Sequence, residues 1–143
     1  HDAARPFAGT ELFERVIAAV IDGADAAVPG IAVADTIKVV AAVGADGARP
    51  VVDTPDRATL VAVQTPQAFR ASALRSAHAG GGDATDDATL IERAGGSVVV
   101  VDGDADNRKI TVSADLQWAR HHVASGGVDG AGDVANAATG GRR

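Results

Sequence analysis

A chain of 143 residues, 46% apolar but only 3% aromatic, supplies one domain with a core of small and branched side chains. A net charge of −6, with no Lys/Arg-rich block and almost no ring for base stacking, excludes a nucleic-acid-binding module. The zero cysteine count excludes disulfides and Cys-ligated zinc, and no apolar run approaches the roughly 18 residues of a membrane span.

The chain opens on His1-Asp2-Ala3-Ala4-Arg5-Pro6. A carboxylate and a guanidinium among small residues, closed by proline, reads as the end of a strand at a phosphate and metal site, with more chain expected before it. Leu12, Val16 and Val20, and beside them Phe13, Ile17 and Ile21, recur every fourth residue. This periodicity predicts an amphipathic helix over 11–22, capped by Thr10 and ended by Gly23. Ala26-Ala27-Val28 predicts a short buried strand stopped by Pro29-Gly30. Alternation at 37–42, a turn at 44–47, Val51-Val52 and Leu60–Val63 predict a β-hairpin within 31–63, projecting as an arm.

Gln64-Thr65-Pro66-Gln67 reads as a rigid polar loop, and a helix over 70–79 is broken by Gly80-Gly81-Gly82. Thr85 is placed to cap another helix, with Asp86 and Asp87 in its first turn. Ser97–Asp102 predicts a buried strand, Ile110–Val112 a short extended piece, and Ser113 the cap of a last helix reaching Val123. From 124 to 143 the chain is rich in Gly and Ala and reads as a disordered tail or linker. The bland readings of the remaining polar residues are a dipole contact for His78, a solvated face for His121-His122 and a core or interface anchor for Trp118.

Val-rich runs alternating with Ala-rich helical runs point to an α/β protein. Its polar and charged residues of interest sit at element ends: Asp2 and Arg5; Thr36 and Lys38; Asp53, Asp56 and Arg57; Asp106, Asn107 and Lys109. In open α/β sheets ligands collect beyond the carboxyl ends of strands. One carboxylate with phosphate oxygens suits Mg²⁺, and separate Arg and Lys side chains grip phosphates. These residues by themselves indicate a phosphate-handling α/β enzyme.

Six segments in order carry a resemblance: 1–6, Asp35-Thr36-Ile37-Lys38, Asp56-Arg57, Gln64–Gln67, Thr85–Ala88 and Asn107–Thr111. Together they resemble the 2-C-methyl-D-erythritol 4-phosphate cytidylyltransferases, over about residues 1–120. The resemblance implies a Rossmann-like nucleotidyltransferase sheet, present in part, with the β-hairpin serving as a dimerisation arm. It implies cytidylyl transfer from CTP to methylerythritol phosphate with Mg²⁺, in a cytoplasmic homodimer that needs neither membrane nor nucleic acid. It implies that Arg57 and Lys109 position the acceptor, that Thr36 and Arg5 meet substrate phosphates, and that Asp2 serves the metal and nucleotide phosphates. Asp106 or Asn107 is expected to bring a second oxygen to the metal. The glycine-rich nucleotide loop of the family has no counterpart in the residues given, so this stretch alone is expected to catalyse little. The competing expectations are a cytidylyltransferase for another polyol phosphate, such as ribitol 5-phosphate, and a non-catalytic dimerisation fragment.

Overall fold

Helix α1 (Thr10–Ile21) buries Leu12 and Val16, while Ile17 and Ile21 stay exposed, so one of its two apolar stripes carries the packing. Thr10 is its first helical residue and makes no cap bond; Gly9 precedes it. Gly23, at φ 124°, turns the chain away in a conformation that favours glycine. The computed structural model describes residues 1–44, 47–81 and 84–127. Most of the expected tail, at 128–143, lies outside the described residues, as do parts of the expected turn at 44–47 and of the glycine break at 80–82.

The remaining elements are β1 (Ala26–Ala32), β2 (Val39–Val40), β3 (Val51–Asp53), β4 (Val61–Val63), β5 (Ala68–Phe69), α2 (Ala71–Ala79), α3 (Asp87–Arg93), β6 (Val98–Asp102) and α4 (Ser113–Ala124). A 3₁₀ turn, Arg57–Thr59, lies between β3 and β4. The result is a mixed sheet on β1, which pairs in parallel with β6 and antiparallel with β4 and β5. No helix among the described residues is long and apolar enough to cross a membrane.

The expected stop at Pro29-Gly30 does not occur, because β1 runs through both residues. The Pro29 carbonyl faces the β4 side and accepts from the Gln64 amide at 2.8 Å. A residue in a strand points its N–H and C=O the same way, so the missing Pro29 N–H lies on the β4 side, just past the last β4 pair Gly30–Val63, and takes nothing from the parallel ladder with β6. Gly30 is needed where β4 and β6 converge: a Cβ there would lie 2.7 Å from Val100 Cγ1 and 3.1 Å from Val61 Cβ. We expect Gly30→Ala to destabilise the protein by about 1–3 kcal/mol through overpacking; a urea midpoint equal to that of the wild type would contradict this.

Because Gly30–Ala32 pairs with Val61–Val63 inside the main sheet, the separate hairpin is shorter than 31–63 and consists of β2 and β3. β6 is also more exposed than its valines suggest. Val98 packs on the core, but Val99 and Val100 are 38% and 52% exposed, and among the described residues β6 pairs only with β1. The stretch 110–112 forms no strand; the Ile110 amide instead bonds the Ala4 carbonyl at 2.7 Å.

The main core cluster joins Ala26 of β1 to Ala77 of α2 and Ile91 of α3, with Phe69, Leu74 and Val98 against it. Ala27, on the opposite face of β1, is equally buried, so the strand is covered on both sides. Asp86, not Thr85, caps α3: its Oδ1 accepts from the Thr89 amide at 2.9 Å and from Thr89 Oγ1 at 2.7 Å. Asp115, not Ser113, organises the start of α4 by accepting from the Thr111 and Val112 amides and from Thr111 Oγ1. A carboxylate inside the first turn reaches back to the free amides more readily than a serine already within the helix.

Candidate active site

The opening hexapeptide lies across the ends of β4 and β6, held by bonds that no local pattern encodes. The Asp2 amide donates to Thr65 Oγ1 at 3.0 Å, and Asp2 Oδ1 accepts from the Ala4 amide at 2.9 Å. Asp2 Oδ2 pairs with Lys109 Nζ at 2.9 Å. The Lys109 ammonium, followed by the Ala4 amide, holds the Asp2 carboxyl below the usual aspartate range. Arg5 donates through Nη1 to the Asn107 carbonyl at 2.8 Å, and through Nη2 to the Val63 carbonyl at 3.4 Å. Burial lowers the Arg5 pKa and the nearby Asp2 raises it, so the guanidinium is partly desolvated yet faces a counter-charge. Three of the charged residues expected from the sequence, Asp2, Arg5 and Lys109, thus share one site.

Two clefts meet at the Asp2–Lys109 pair. The larger, of about 630 Å³, is lined by Asp2, Thr65, Gln67, His78, Asp86 and Asp87 among others. The smaller, of about 310 Å³, is lined by Arg5, Val63, Gln64, Ala105, Arg108 and Lys109 among others. In the larger cleft His78 Nε2 contacts Asp87 Oδ1 at 2.9 Å, beyond the dipole contact expected of it, and Gln67 donates to Asp86 Oδ2 at 3.3 Å. Burial pushes the Asp86 carboxyl up, but the bonds from Thr89 and Gln67 outweigh it and leave the pKa lowered.

Thr36 and Arg57 stand apart from that site within the single chain. Both are exposed, and Arg57 Nη1 donates to the Ala34 carbonyl at 2.7 Å, which brings the guanidinium beside the 34–36 segment. No hydrogen bond or ion pair among the described residues joins either of them to Asp2, Arg5 or Lys109. Asp106 is exposed; its amide bonds Asp104 Oδ1, and its carboxylate makes no bond to the Asp2 site. Asn107 is fully buried and turned inward, its Nδ2 donating to the Thr65 carbonyl at 2.7 Å and to Gln64 Oε1 at 3.3 Å. The described residues hold no group of three or more His, Asp or Glu side chains fit for a metal. Asp2 alone is an ionised carboxylate at the junction of the clefts, a donor set that suits Mg²⁺ only when substrate phosphates and water complete it.

A second layer braces Lys109. Arg108 pairs with Asp115 at 3.2 Å and lies 5.3 Å above the Trp118 ring. Trp118 meets Phe7 edge-on at 5.5 Å and stacks on His122 at 4.8 Å, so His122 belongs to an aromatic cluster and not to a solvated face. The bonds from Thr111 and Val112, with Arg108 nearby, hold the Asp115 carboxyl below its usual range. A carboxyl whose pKa is depressed in the folded state adds stability above its unfolded pKa and loses it as pH falls through the folded value. We therefore expect the melting temperature to hold steady from neutral pH to about pH 5 and to drop below about pH 4. Asp115→Asn should lower it at pH 7 and shrink the acid-side loss; an unchanged profile in thermal unfolding would contradict the role of Asp115.

Residues 1–125 match the family model described as IspD, 2-C-methyl-D-erythritol 4-phosphate cytidylyltransferase. The chain belongs to this family. It is 49% identical over 120 residues to a bifunctional enzyme IspD/IspF of Nitratidesulfovibrio vulgaris, covering 81% of this chain and 29% of that one. It is 46% identical over 129 residues to a 2-C-methyl-D-erythritol 4-phosphate cytidylyltransferase of Rubrobacter xylanophilus, covering 87% of this chain and 53% of the relative. The crystal structure of the corresponding Thermus thermophilus protein superposes with a TM-score of 0.72 at 37% identity, covering 87% of this chain and 60% of that chain. The chain thus spans between about a third and three fifths of the proteins it matches.

Gln64 and Thr65 carry much of the site's geometry, although from the sequence they read as a polar loop within one family-like segment, with no role assigned to either side chain. The available signal was their place at the end of a strand, directly before a proline, where buried polar side chains must find partners.

Proposed function

We propose that the protein carrying this chain transfers a cytidylyl group from CTP to 2-C-methyl-D-erythritol 4-phosphate, releasing pyrophosphate, in isoprenoid biosynthesis. The observation that carries this reading is the 2.9 Å Asp2–Lys109 pair beside the partly buried Arg5 guanidinium, in a chain of this family. The acceptor is a phosphomonoester with a second pKa near ~6, so at neutral pH it is largely a dianion and needs no strong general base. What the protein must supply is alignment of two anions and neutralisation of their charge. Lys109 holds the acceptor phosphate as a point charge. Arg5, rigidly bonded to backbone carbonyls, keeps a fixed positive field at the same junction.

Mg²⁺, held by Asp2 and the nucleotide phosphates, would offset charge on those phosphates and on the leaving group. Asp106, exposed on the neighbouring turn, would supply at most an outer contact to it. Arg57 and Thr36 act from the arm side. In a cytoplasmic homodimer formed through the β2–β3 hairpin they enter the partner's site, which accounts for their separation from Lys109 within one chain. The exposed Val39, Val43, Val51 and Val52 around the hairpin support such a contact.

The test is a product assay on the whole protein with CTP, Mg²⁺ and either methylerythritol phosphate or ribitol 5-phosphate. Pyrophosphate release with methylerythritol phosphate alone is expected. Preference for ribitol 5-phosphate, or no turnover with either, would overturn the reading.

A further inference from the structure

Two buried amides join the pieces that carry the charged groups. Gln64 is 3% exposed and Asn107 is 0% exposed. Gln64 Nε2 donates to the Asp104 carbonyl at 2.7 Å and to the Asn107 carbonyl at 3.4 Å, while its Oε1 accepts from the Asp104 amide at 3.0 Å and from Asn107 Nδ2 at 3.3 Å. Asn107 Nδ2 also reaches the Thr65 carbonyl, and its own carbonyl receives Arg5. Thr65 in turn receives the Asp2 amide. Every bond of this network ends on the hexapeptide, on the 64–65 corner or on the 104–107 turn, and Lys109 follows that turn by two residues.

We propose that Gln64 and Asn107 are positioning residues that fix Lys109 for the acceptor phosphate. The inference rests on the functional reading above, in which Lys109 grips that phosphate. A flexible lysine at the end of a loop holds a phosphate in line only if its backbone is fixed, and the loop here has no strand ladder beyond β6 to fix it. The two amides replace that ladder. Gln64 bonds the backbone of Asp104 on both its N–H and its C=O, as a neighbouring strand would, and Asn107 ties the same turn to the Thr65 carbonyl. Space is also tight: a Cβ on Gly103 would lie 2.8 Å from Gln64 Oε1 and 2.9 Å from the Gly30 carbonyl, so the turn has no room to shift toward the sheet. Both polar atoms of the Gln64 side chain are bonded, whereas Asn107 Oδ1 is buried with no hydrogen-bond partner among the described residues, so Gln64 carries most of the bracing. Loosening one member lets the turn drift, and a displacement of about 1 Å at a reacting group costs on the order of 10²-fold in rate.

The experiment compares Gln64→Met and Gln64→Glu in the whole protein, each alone and combined with Lys109→Ala. Met removes all four side-chain bonds at similar length. Glu, kept neutral by burial, keeps the two accepted bonds and donates one of the other two, so it serves as the milder variant if Met fails to fold. Gln64→Met is expected to lower kcat/KM for the acceptor by about 10²-fold and Gln64→Glu by about 10-fold, with KM for CTP nearly unchanged. In the Lys109→Ala background neither should cause further loss, because residues acting through one group are not additive. Equal losses in both backgrounds, or a loss falling equally on CTP, would overturn the positioning role while leaving the functional reading intact. If Lys109→Ala alone leaves turnover of methylerythritol phosphate unchanged, Lys109 does not grip the phosphate and this inference falls, whereas the functional reading fails only if the wild-type protein does not turn over that acceptor.

Discussion

Lys109→Ala is expected to lower kcat/KM for the proposed acceptor by about 10²–10³-fold and to leave the fold intact. This is the size expected when one preorganised charge is removed from a phosphoryl-transfer site. Lys109 is half exposed and its ammonium bonds a single carboxylate, so its removal opens no cavity. The change should fall on the acceptor and spare CTP binding. Lys109→Arg should recover only part of the rate, because a planar fork cannot occupy the place of a compact ammonium without moving the phosphate. Steady-state kinetics with each substrate varied in turn measures both effects, and an unchanged kcat/KM for the acceptor would remove Lys109 from the site.

Arg57→Ala lowers turnover by at least ~10²-fold without unfolding the protein, by loss of positioning. The guanidinium is exposed and, among the described residues, bonds only the Ala34 carbonyl, so its role in stability is small. The arm reading adds a sharper expectation. If Arg57 acts in the partner's site and Lys109 in its own, a heterodimer of Arg57→Ala with Lys109→Ala contains one intact site and one doubly altered site. Mixing the two inactive variants in equal amounts, with subunit exchange, should then restore about a quarter of the wild-type activity. Activity that stays at the level of the separate variants would place both residues in the same subunit's site or exclude the dimer.

The legibility of the fold followed the range of the interactions involved. Helices α1, α2, α3 and α4 were expected within a residue or two, because their apolar spacing and turn chemistry are local. β5 was missed: two residues long, it exists only because Ala68 and Phe69 meet Ala27 and Ala26. The stop expected at Pro29-Gly30 failed for a related reason, since the missing Pro29 N–H lies on the β4 side past its last pair and leaves the parallel ladder with β6 intact. The caps moved from Thr85 to Asp86 and from Ser113 to Asp115, showing that a carboxylate one or two residues further on competes well for the free amides of a first turn.

The same division holds for the site. Local pattern and residue chemistry settle which groups are charged, that they gather at element ends and that the scaffold is α/β, because these properties depend on neighbours along the chain. They also carry the family likeness, which lies in short ordered segments. Only the tertiary structure decides which of those groups meet. Arg5 and Asn107 lie 102 positions apart, and Gln64 and Asp104 lie 40 apart, joined because parallel pairing of β1 with β6 and antiparallel pairing with β4 bring the carboxyl ends of β4 and β6 together at Gly30. That convergence turns Asn107 inward, sets Lys109 on Asp2 and leaves Arg57 on the side of the arm. No spacing in the sequence encodes it, because sheet register is fixed by packing over the whole domain.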